Sequence, residues 1–301
     1  MQLFDNKKLT IKPVASLVLL FSLFLFMLIA VSLITQLLSS LTDNTAAVLR
    51  ISSVLQNVLV FILPAIATAM LSTRFPATLL AIDKVPSGKF IMLSIAALIV
   101  SIPLMNSIID WNQNITLPES LSAFNEFMQQ LEKGAEKAVN DITGGDTVGT
   151  LIMSILIVGI FTGLGEEIFF RGGLLRLFSC IKGMSPHMAI WLTAFLFSAL
   201  HMQFLGFVPR MLLGVFFGYL AFWSGSLWLP IIIHALNNSI IVTVDWINNR
   251  SGSTVNVNSI GLGDNATLLI ILSIILTVIV FFALYKQSLI IQNDKYSKEK
   301  K

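Results

Sequence analysis

Long apolar stretches dominate this chain, and short polar segments separate them. A helix that crosses a membrane needs about 20 predominantly apolar residues. By that measure the pattern predicts eight spans, and the fifth to seventh are so closely spaced that their ends are the hardest to place. They cover residues 13–41, 47–72, 90–110, 147–170, 185–205, 208–225, 227–247 and 266–287. The sequence therefore predicts an all-α, polytopic membrane protein.

The first apolar stretch runs without a charge from Pro13 to Thr42. The apolar core of a signal peptide has only about 7–15 residues. We therefore interpret this stretch as a retained helix, and Pro13 suits its first turn.

Composition agrees with the pattern. The chain has 301 residues, of which 55% are hydrophobic and 12% are charged, whereas soluble domains carry roughly 25% charged residues. The small net charge of +3 gives no reason to expect a nucleic-acid partner. Cys180 is the single cysteine, so an internal disulfide is excluded.

The distribution of basic residues predicts the orientation, because cytoplasmic loops carry an excess of Lys and Arg. With the N-terminus inside, 14 of the 19 basic residues fall in inner segments. The outer segments hold Arg50, Lys133, Lys137, Arg210 and Arg250. This asymmetry predicts an integral protein of the cell membrane with both termini in the cytoplasm.

The largest loop, residues 111–146, falls outside in this topology. Its apolar residues recur at helical spacing with charged residues between them, which predicts an amphipathic helix. The apolar positions are Leu121, Phe124, Phe127, Met128, Leu131 and Ala135. Such a helix either rests on the membrane surface or forms a lid or platform for a substrate.

Adjacent glutamates interrupt the fourth apolar stretch. Glu167 and Arg171 are four residues apart and therefore share a helix face, where they can pair. Glu166 points about 100° away and stays available. Because a charge at membrane depth costs a few kcal/mol, these groups are candidates for function. An unpaired carboxylate in an apolar pocket suits a general acid or base.

Two further helices carry polar residues in apolar surroundings. His201 lies on the fifth span, and His234 and Asn238 share one face of the seventh. Counting helical rise predicts that His201 lies within about 6 Å of the level of Glu166. The levels are compatible with one site in the cytoplasmic half of the membrane.

Each of these residues alone has a simpler explanation. A single histidine in an apolar run is more often a hydrogen-bonded core residue, and Glu167 with Arg171 alone would be a structural ion pair. We interpret His187 as interfacial and Cys180 as inert. Gly214 and Gly218 form a GxxxG pattern, which indicates close helix packing. The prediction of a site rests on the set of polar residues.

The set resembles the CPBP family, the CAAX proteases and bacteriocin-processing enzymes. Residues 166–171 (EEIFFR) match its EExxxR motif, residues 197–201 (FSALH) its FxxxH motif, and residues 234–238 (HALNN) its HxxxN motif. The motifs occur in the family's order, and the resemblance covers about a third of the chain, roughly residues 145–248. Any one motif is a weak signal, whereas the three together are specific.

The resemblance implies an eight-helix intramembrane endopeptidase. Carried over residue by residue, Glu166 and His201 activate a water, and His234 and Asn238 stabilise the oxyanion. Glu167 and Arg171 hold the site together. The implied partners are membrane lipids and a peptide substrate in or near the bilayer, possible examples being a CAAX-type or a bacteriocin-like protein.

Other functions remain open at this point. Glu166, His201 and His234 could instead supply the ligands of a zinc hydrolase, although we favour a mechanism with no metal or other cofactor, because Asn238 is a poor zinc ligand and no HExxH motif occurs. A non-enzymatic immunity or scaffold protein and a transporter with a proton relay are the alternatives outside proteolysis. Cleavage that stops when Glu166 is replaced would separate the enzyme from both.

The same resemblance divides the chain into three segments. Residues 1–145 are expected to form the N-terminal helices with the external amphipathic helix. Residues 146–248 form the catalytic core, and residues 249–301 form the last span with a basic cytoplasmic tail.

Overall fold

The computed structural model describes residues 8–251, 259–263 and 266–299. The protein is 83% helical. Across those residues there is no strand, only an isolated antiparallel β-bridge between Leu9 and Thr73. The predicted all-α class is confirmed.

Ten helical segments organise the described part of the chain. They are α1 (Pro13–Leu41), α2 (Thr45–Ser72), α3 (Pro76–Leu80), α4 (Gly88–Gln113), α5 (Ser122–Thr143), α6 (Val148–Ser179), α7 (Pro186–Ala199), α8 (Phe207–Ser224), α9 (Trp228–Ser251) and α10 (Ala266–Glu299). A short 3₁₀ turn at Glu119–Leu121 precedes α5. Seven of the helices, namely α1, α2, α4, α6, α8, α9 and α10, are long and apolar enough to cross a membrane.

The fifth span is shorter in the structure than the predicted residues 185–205. Helix α7 has only 14 residues, which is about 21 Å of rise. The chain leaves the helix at Leu200 and turns back through Met202, which has a left-handed φ of 55°. Asn112 of α4 holds this turn, because its amide donates to the Phe204 carbonyl at 3.1 Å and accepts from the Val208 N–H at 2.9 Å.

The fourth span extends beyond the predicted residues 147–170. Helix α6 continues to Ser179, because Arg171 and Arg176, which resemble a membrane boundary in the sequence, are both buried among neighbouring helices. Two stretches of α6 are π-helical, Ile155–Phe161 and Ile168–Leu174.

The helices alternate in direction, and α7 reverses the chain although it is short. At one end of the bundle the Leu227 N–H donates to the Ala81 carbonyl at 2.9 Å. At the other end Arg50 Nε donates to the Ile142 carbonyl at 2.9 Å, and Trp246 Nε1 to the Thr147 carbonyl at 3.0 Å. The alternation agrees with the predicted order of loops, while the cytoplasmic assignment of the ends stays a prediction. Of the basic residues behind it, Lys7, Lys300 and Lys301 lie outside the described residues.

Packing places α6 at the centre of the bundle. The Phe169 ring lies 5.0 Å from Phe24 of α1 and 5.6 Å from Phe61 of α2, measured between centroids. On the other side, α9 packs along the first half of α6, and α7 packs against α8. The middle of α6, which carries Glu166 and Glu167, is therefore enclosed by protein.

The amphipathic helix predicted in the large loop is present as α5. No residue of α5 is buried, and Phe124 and Phe127 are about half exposed. The end of α5 is attached to α2, because Arg50 bonds to the carbonyls of Ile142 and Gly144. The Phe124 ring meets the edge of Phe204, which lies in the turn between α7 and α8.

Candidate active site

The centre of the site is the ion pair that the sequence predicted. Arg171 Nη1 donates to Glu167 Oε1 at 2.7 Å, and neither side chain is exposed. Arg171 Nη2 donates to the Gly214 carbonyl of α8 at 2.9 Å. The π-helical stretch that carries Arg171 begins directly after Glu167, and π-bulges are frequent at functional sites.

Aromatic rings surround the Arg171 guanidinium. It lies 4.7 Å from the centroid of Phe197 and 5.4 Å from that of Phe217. A desolvated cation over a ring face is stabilised by about 2 kcal/mol. Phe197 is the first residue of the FxxxH motif, so the structure gives that position a direct contact with the arginine of the first motif.

His234 joins the same network from α9. Its Nδ1 donates to Glu167 Oε1 at 2.8 Å, because a carboxylate oxygen accepts. Its ring stacks on Phe217 with a centroid distance of 4.7 Å. Glycine allows α9 to approach this closely, since a Cβ at Gly163 of α6 would lie 2.9 Å from the Ala235 backbone nitrogen.

Glu166 is separate from this network and faces both histidines. Its Oε1 lies 3.8 Å from His201 Nε2, and its Oε2 lies 3.8 Å from His234 Nε2. The side chain is only 10% exposed. Within the described residues it has no hydrogen bond. The structure therefore brings Glu166, His201 and His234 together with the Glu167–Arg171 pair beside them.

His201 lies in the turn after α7, and a hydrogen bond to the backbone of α7 fixes its ring. Nδ1 donates to the Phe197 carbonyl at 2.7 Å. A carbonyl only accepts, so in the neutral ring Nε2 carries the lone pair. That lone pair is on the nitrogen that faces Glu166.

Asn238 lies one helical turn beyond His234 but makes different contacts. Its Nδ2 donates to the Val158 carbonyl at 3.2 Å, and its Oδ1 accepts from Asn237 at 3.3 Å. In the described chain no hydrogen bond joins Asn238 to Glu166 or to either histidine. An amide nitrogen carries two hydrogens, and Val158 takes one of them.

The site lies deep in the bundle. Glu166 is 13 residues from the Ser179 end of α6 and 18 from the Val148 end, or about 20 and 27 Å of helical rise. The site therefore lies nearer the Ser179 end of α6, and its placement in the cytoplasmic half of the membrane stays a prediction.

Several neighbours of the site have no clear signal in the sequence. Phe217 stacks on His234, and the Gly214 carbonyl binds Arg171. Gly214 was singled out only for packing, and the structure confirms that role, because a Cβ there would lie 3.1 Å from Ala194 of α7. Arg210, in the first turn of α8, interacts electrostatically with Glu166 and was counted in the sequence only as an outer loop charge.

Arg210 links the site to the amphipathic helix electrostatically. It interacts with Glu166 of the site and with Glu132 of α5. Partial burial raises the pKa of Glu132, and the positive charge of Arg210 opposes that rise. One carboxylate of α5 therefore lies within electrostatic range of the arginine that also interacts with Glu166.

The zinc alternative requires three side chains that converge on one point at about 2.0–2.2 Å. Among the described residues, no group of three His, Cys, Asp or Glu side chains is placed to hold a metal ion. The 3.8 Å separations around Glu166 leave room for a bridging water.

Two residues that the sequence set aside lie away from Glu166. His187 Nδ1 is hydrogen-bonded to the Tyr219 hydroxyl at 2.9 Å. Cys180 is buried.

Comparison with known proteins gives a family match for part of the chain. Residues 148–240 match the family described as type II CAAX prenyl endopeptidase Rce1-like, which is just under a third of the chain. No curated protein and no solved structure matches the chain. The matched segment contains all three motifs and lies within the predicted core of residues 146–248. The predicted resemblance to the CPBP family is confirmed over residues 148–240, which match the Rce1-like family model.

Proposed function

We propose that this chain is an intramembrane endopeptidase that hydrolyses a peptide bond near the C-terminus of a membrane-associated, CAAX-type substrate. One observation carries the proposal. Each carboxylate oxygen of Glu166 faces the Nε2 atom of a different histidine at 3.8 Å. The adjacent Glu167 is occupied by Arg171 and His234. The match to the Rce1-like family supports the reaction class.

Glu166 and His201 activate the water. A water at about 2.8 Å from each atom fits between Glu166 Oε1 and His201 Nε2, which are 3.8 Å apart. Both atoms accept hydrogen bonds, so the water donates both hydrogens and keeps a lone pair for the substrate carbonyl carbon. As the C–O bond forms, Glu166 takes one proton. It then delivers this proton to the leaving nitrogen as the C–N bond breaks.

His234 and Asn238 stabilise the oxyanion. His234 donates through Nε2 when its ring is protonated at both nitrogens, and the carboxylate of Glu167 at Nδ1 balances that positive charge. Asn238 offers the amide hydrogen that Val158 does not take. Donors of this kind, placed in a site that excludes water, contribute about 3–4 kcal/mol each to the transition state.

Glu167 and Arg171 position the histidine and the helices around it. Arg171 connects α6 to the α8 backbone through Gly214, and Glu167 fixes the tautomer and orientation of His234. Neither side chain is exposed, so neither is proposed to touch the substrate.

The test compares membranes that contain the wild-type protein with membranes that contain Glu166→Gln. A neutral amide does not accept the water proton, so cleavage of a fluorescence-quenched, farnesylated CAAX-type peptide should fall by about 10²–10⁴-fold. Mass spectrometry identifies the new peptide ends. Glu126→Gln on the exposed side of α5 is the matched control and should cleave at the wild-type rate.

Two outcomes contradict the proposal. Equal product from wild type and Glu166→Gln would show that this carboxylate is not the base, and no product from either would favour a non-enzymatic protein. Loss of wild-type activity on chelation, restored by zinc, would replace water activation by Glu166 with metal catalysis.

A further inference from the structure

Arg210 is placed as a fixed cation beside the catalytic groups. It lies in the first turn of α8, and its Nη2 donates to Gln203 Oε1 at 2.7 Å. The guanidinium lies over Gly206, because a Cβ added there would be 3.1 Å from Nη2. Arg210 therefore folds back over the turn of residues 200–206, which carries His201.

One donor of this guanidinium is unused. Nη1 of Arg210 is buried and has no hydrogen-bond partner. Arg210 interacts electrostatically with Glu166 and Glu132. Among the described residues, however, no carboxylate lies within the 4.0 Å of an ion pair with it. Glu132 Oε2 is likewise buried without a hydrogen-bond partner. A buried guanidinium hydrogen without an acceptor is costly, so Nη1 is available to an anionic ligand that comes closer than Glu132 does.

The other arginine at the site uses both of its terminal nitrogens, and only its Nε has no hydrogen-bond partner. Arg171 donates from Nη1 to Glu167 and from Nη2 to the Gly214 carbonyl, and its side chain has no exposed surface. Of these two guanidinium groups near Glu166, Arg210 is the one with a terminal nitrogen left for a ligand.

The position of Arg210 is fixed by its surroundings. Asn112 of α4 holds the turn through the Phe204 carbonyl and the Val208 N–H, and the Ser198 hydroxyl donates to the Phe207 carbonyl at 2.6 Å. An anion that binds there loses little free energy to reordering of the protein. A guanidinium offers two parallel N–H donors to a carboxylate.

We propose that Arg210, oriented by Gln203, binds the C-terminal carboxylate of the peptide substrate and so selects a free chain end near the scissile bond. This inference rests on the proposed function, because a protease that releases a short C-terminal peptide needs a way to recognise the chain end. It assigns Arg210 to substrate recognition, while Glu166 and His201 keep the chemistry.

The experiment uses two farnesylated CAAX-type peptides that differ only at the C-terminus, which is a free acid in one and an amide in the other. The full-length protein in proteoliposomes should cleave the acid with a KM about 10–100-fold lower than that for the amide, as expected for a charge-assisted pair. Arg210→Gln should raise the KM for the acid by a similar factor, with little change in kcat, and leave the amide unchanged.

Two further variants sharpen the result. Arg210→Lys keeps the charge without the paired donors, so it should keep part of the preference for the acid. Arg250→Gln is the matched control, because Arg250 stacks over Trp246 at 5.2 Å and should leave both KM values unchanged.

The results distinguish failure of the Arg210 proposal from failure of the proposed endopeptidase activity. Wild-type protein that cleaves acid and amide equally well, or an Arg210→Gln variant that loses both substrates alike, overturns the role of Arg210 and leaves the endopeptidase standing. Wild-type protein that cleaves neither peptide overturns both.

Discussion

Glu166 and Glu167 are adjacent in the chain, yet their surroundings differ at the level of single atoms. Glu167 accepts hydrogen bonds from Arg171 and His234, while Glu166 meets only the Nε2 atoms of two histidines at 3.8 Å. A carboxylate already bound by two donors is a poor base, whereas one without a hydrogen bond is free to bind water. These contacts are the basis on which we propose Glu166 as the base and Glu167 as a structural partner.

Replacing Glu167 should destabilise the protein more than replacing Glu166. Glu167→Gln leaves the fully buried Arg171 without its anion, and breaking a buried ion pair typically costs about 3–5 kcal/mol. We expect a lower thermal unfolding temperature in detergent and lower expression. Glu166→Gln removes no ion pair of this strength and is the matched control. Equal unfolding temperatures would contradict the assignment of Glu167 as the structural partner.

Substitutions of Asn238 distinguish oxyanion stabilisation from metal binding. Asn238→Ala should lower kcat by about 10²–10³ with a smaller change in KM. Asn238→Asp should be equally impaired, because it adds negative charge where negative charge develops. Asn237→Ala is the control, since Asn237 reaches the site only through Asn238. Full activity of Asn238→Asp together with inactivation by chelators would favour a metal site.

At the scale of helices, the hairpin of α7 and α8 delivers His201 to the middle of the bundle. A longer α7, as the sequence predicted, would carry the helix past this level. The structure ends α7 at Ala199 and secures the turn through Asn112. The hairpin also supplies Phe197, Gly214 and Phe217, which contact Arg171 from outside α6.

The close contact between α7 and α8 gives a prediction about Gly214. A Cβ there would lie 3.1 Å from Ala194 and 3.2 Å from Phe197, so Gly214→Ala should displace Phe197 and cost about 1–3 kcal/mol of stability. Thermal unfolding and peptide cleavage should both decline. Gly134→Ala in α5 is the control: with nothing within 4 Å of its Cβ, it should be neutral or slightly stabilising. An unchanged unfolding temperature for Gly214→Ala would show that the hairpin is looser than the structure indicates.

At the scale of the whole molecule, the described residues form eight apolar helices with α6 at the centre, and α5 lies at the end of the bundle opposite to the loop of α3. The exposed apolar residues of α1 and α10 are the surface expected to face lipid. For the proposed endopeptidase we therefore expect a substrate to reach Glu166 from the bilayer or past α5, whose Glu132 interacts electrostatically with Arg210.

Cysteine labelling tests the orientation of the molecule. Cys180 is buried, so a membrane-impermeant thiol reagent should report on a newly introduced cysteine. Lys133→Cys in α5 should react in intact cells, because the excess of basic residues in the inner segments predicts that this helix lies outside. Lys182→Cys, in the loop between α6 and α7, should react only after permeabilisation. The reverse pattern would invert the topology.

The sequence by itself determined what depends on local spacing and on composition. Apolar length predicted the membrane helices, and a separation of four residues put Glu167 and Arg171 on one face, where the structure pairs them at 2.7 Å. Counting helical rise placed His201 near the level of Glu166. Their side chains do meet at 3.8 Å. The three motifs brought together the residues of the site and indicated the family.

Only the tertiary structure decided the lateral neighbours. In a membrane protein both the lipid-facing and the buried sides of a helix are apolar, so periodicity does not show which face packs against which helix. For this reason the stacking of Phe217 on His234 and the approach of Arg210 to Glu166 were not predicted. The end of α7 at Ala199 depends on bonds from Asn112, which is about 90 residues away in the chain, and a helix pattern contains no information about such a partner.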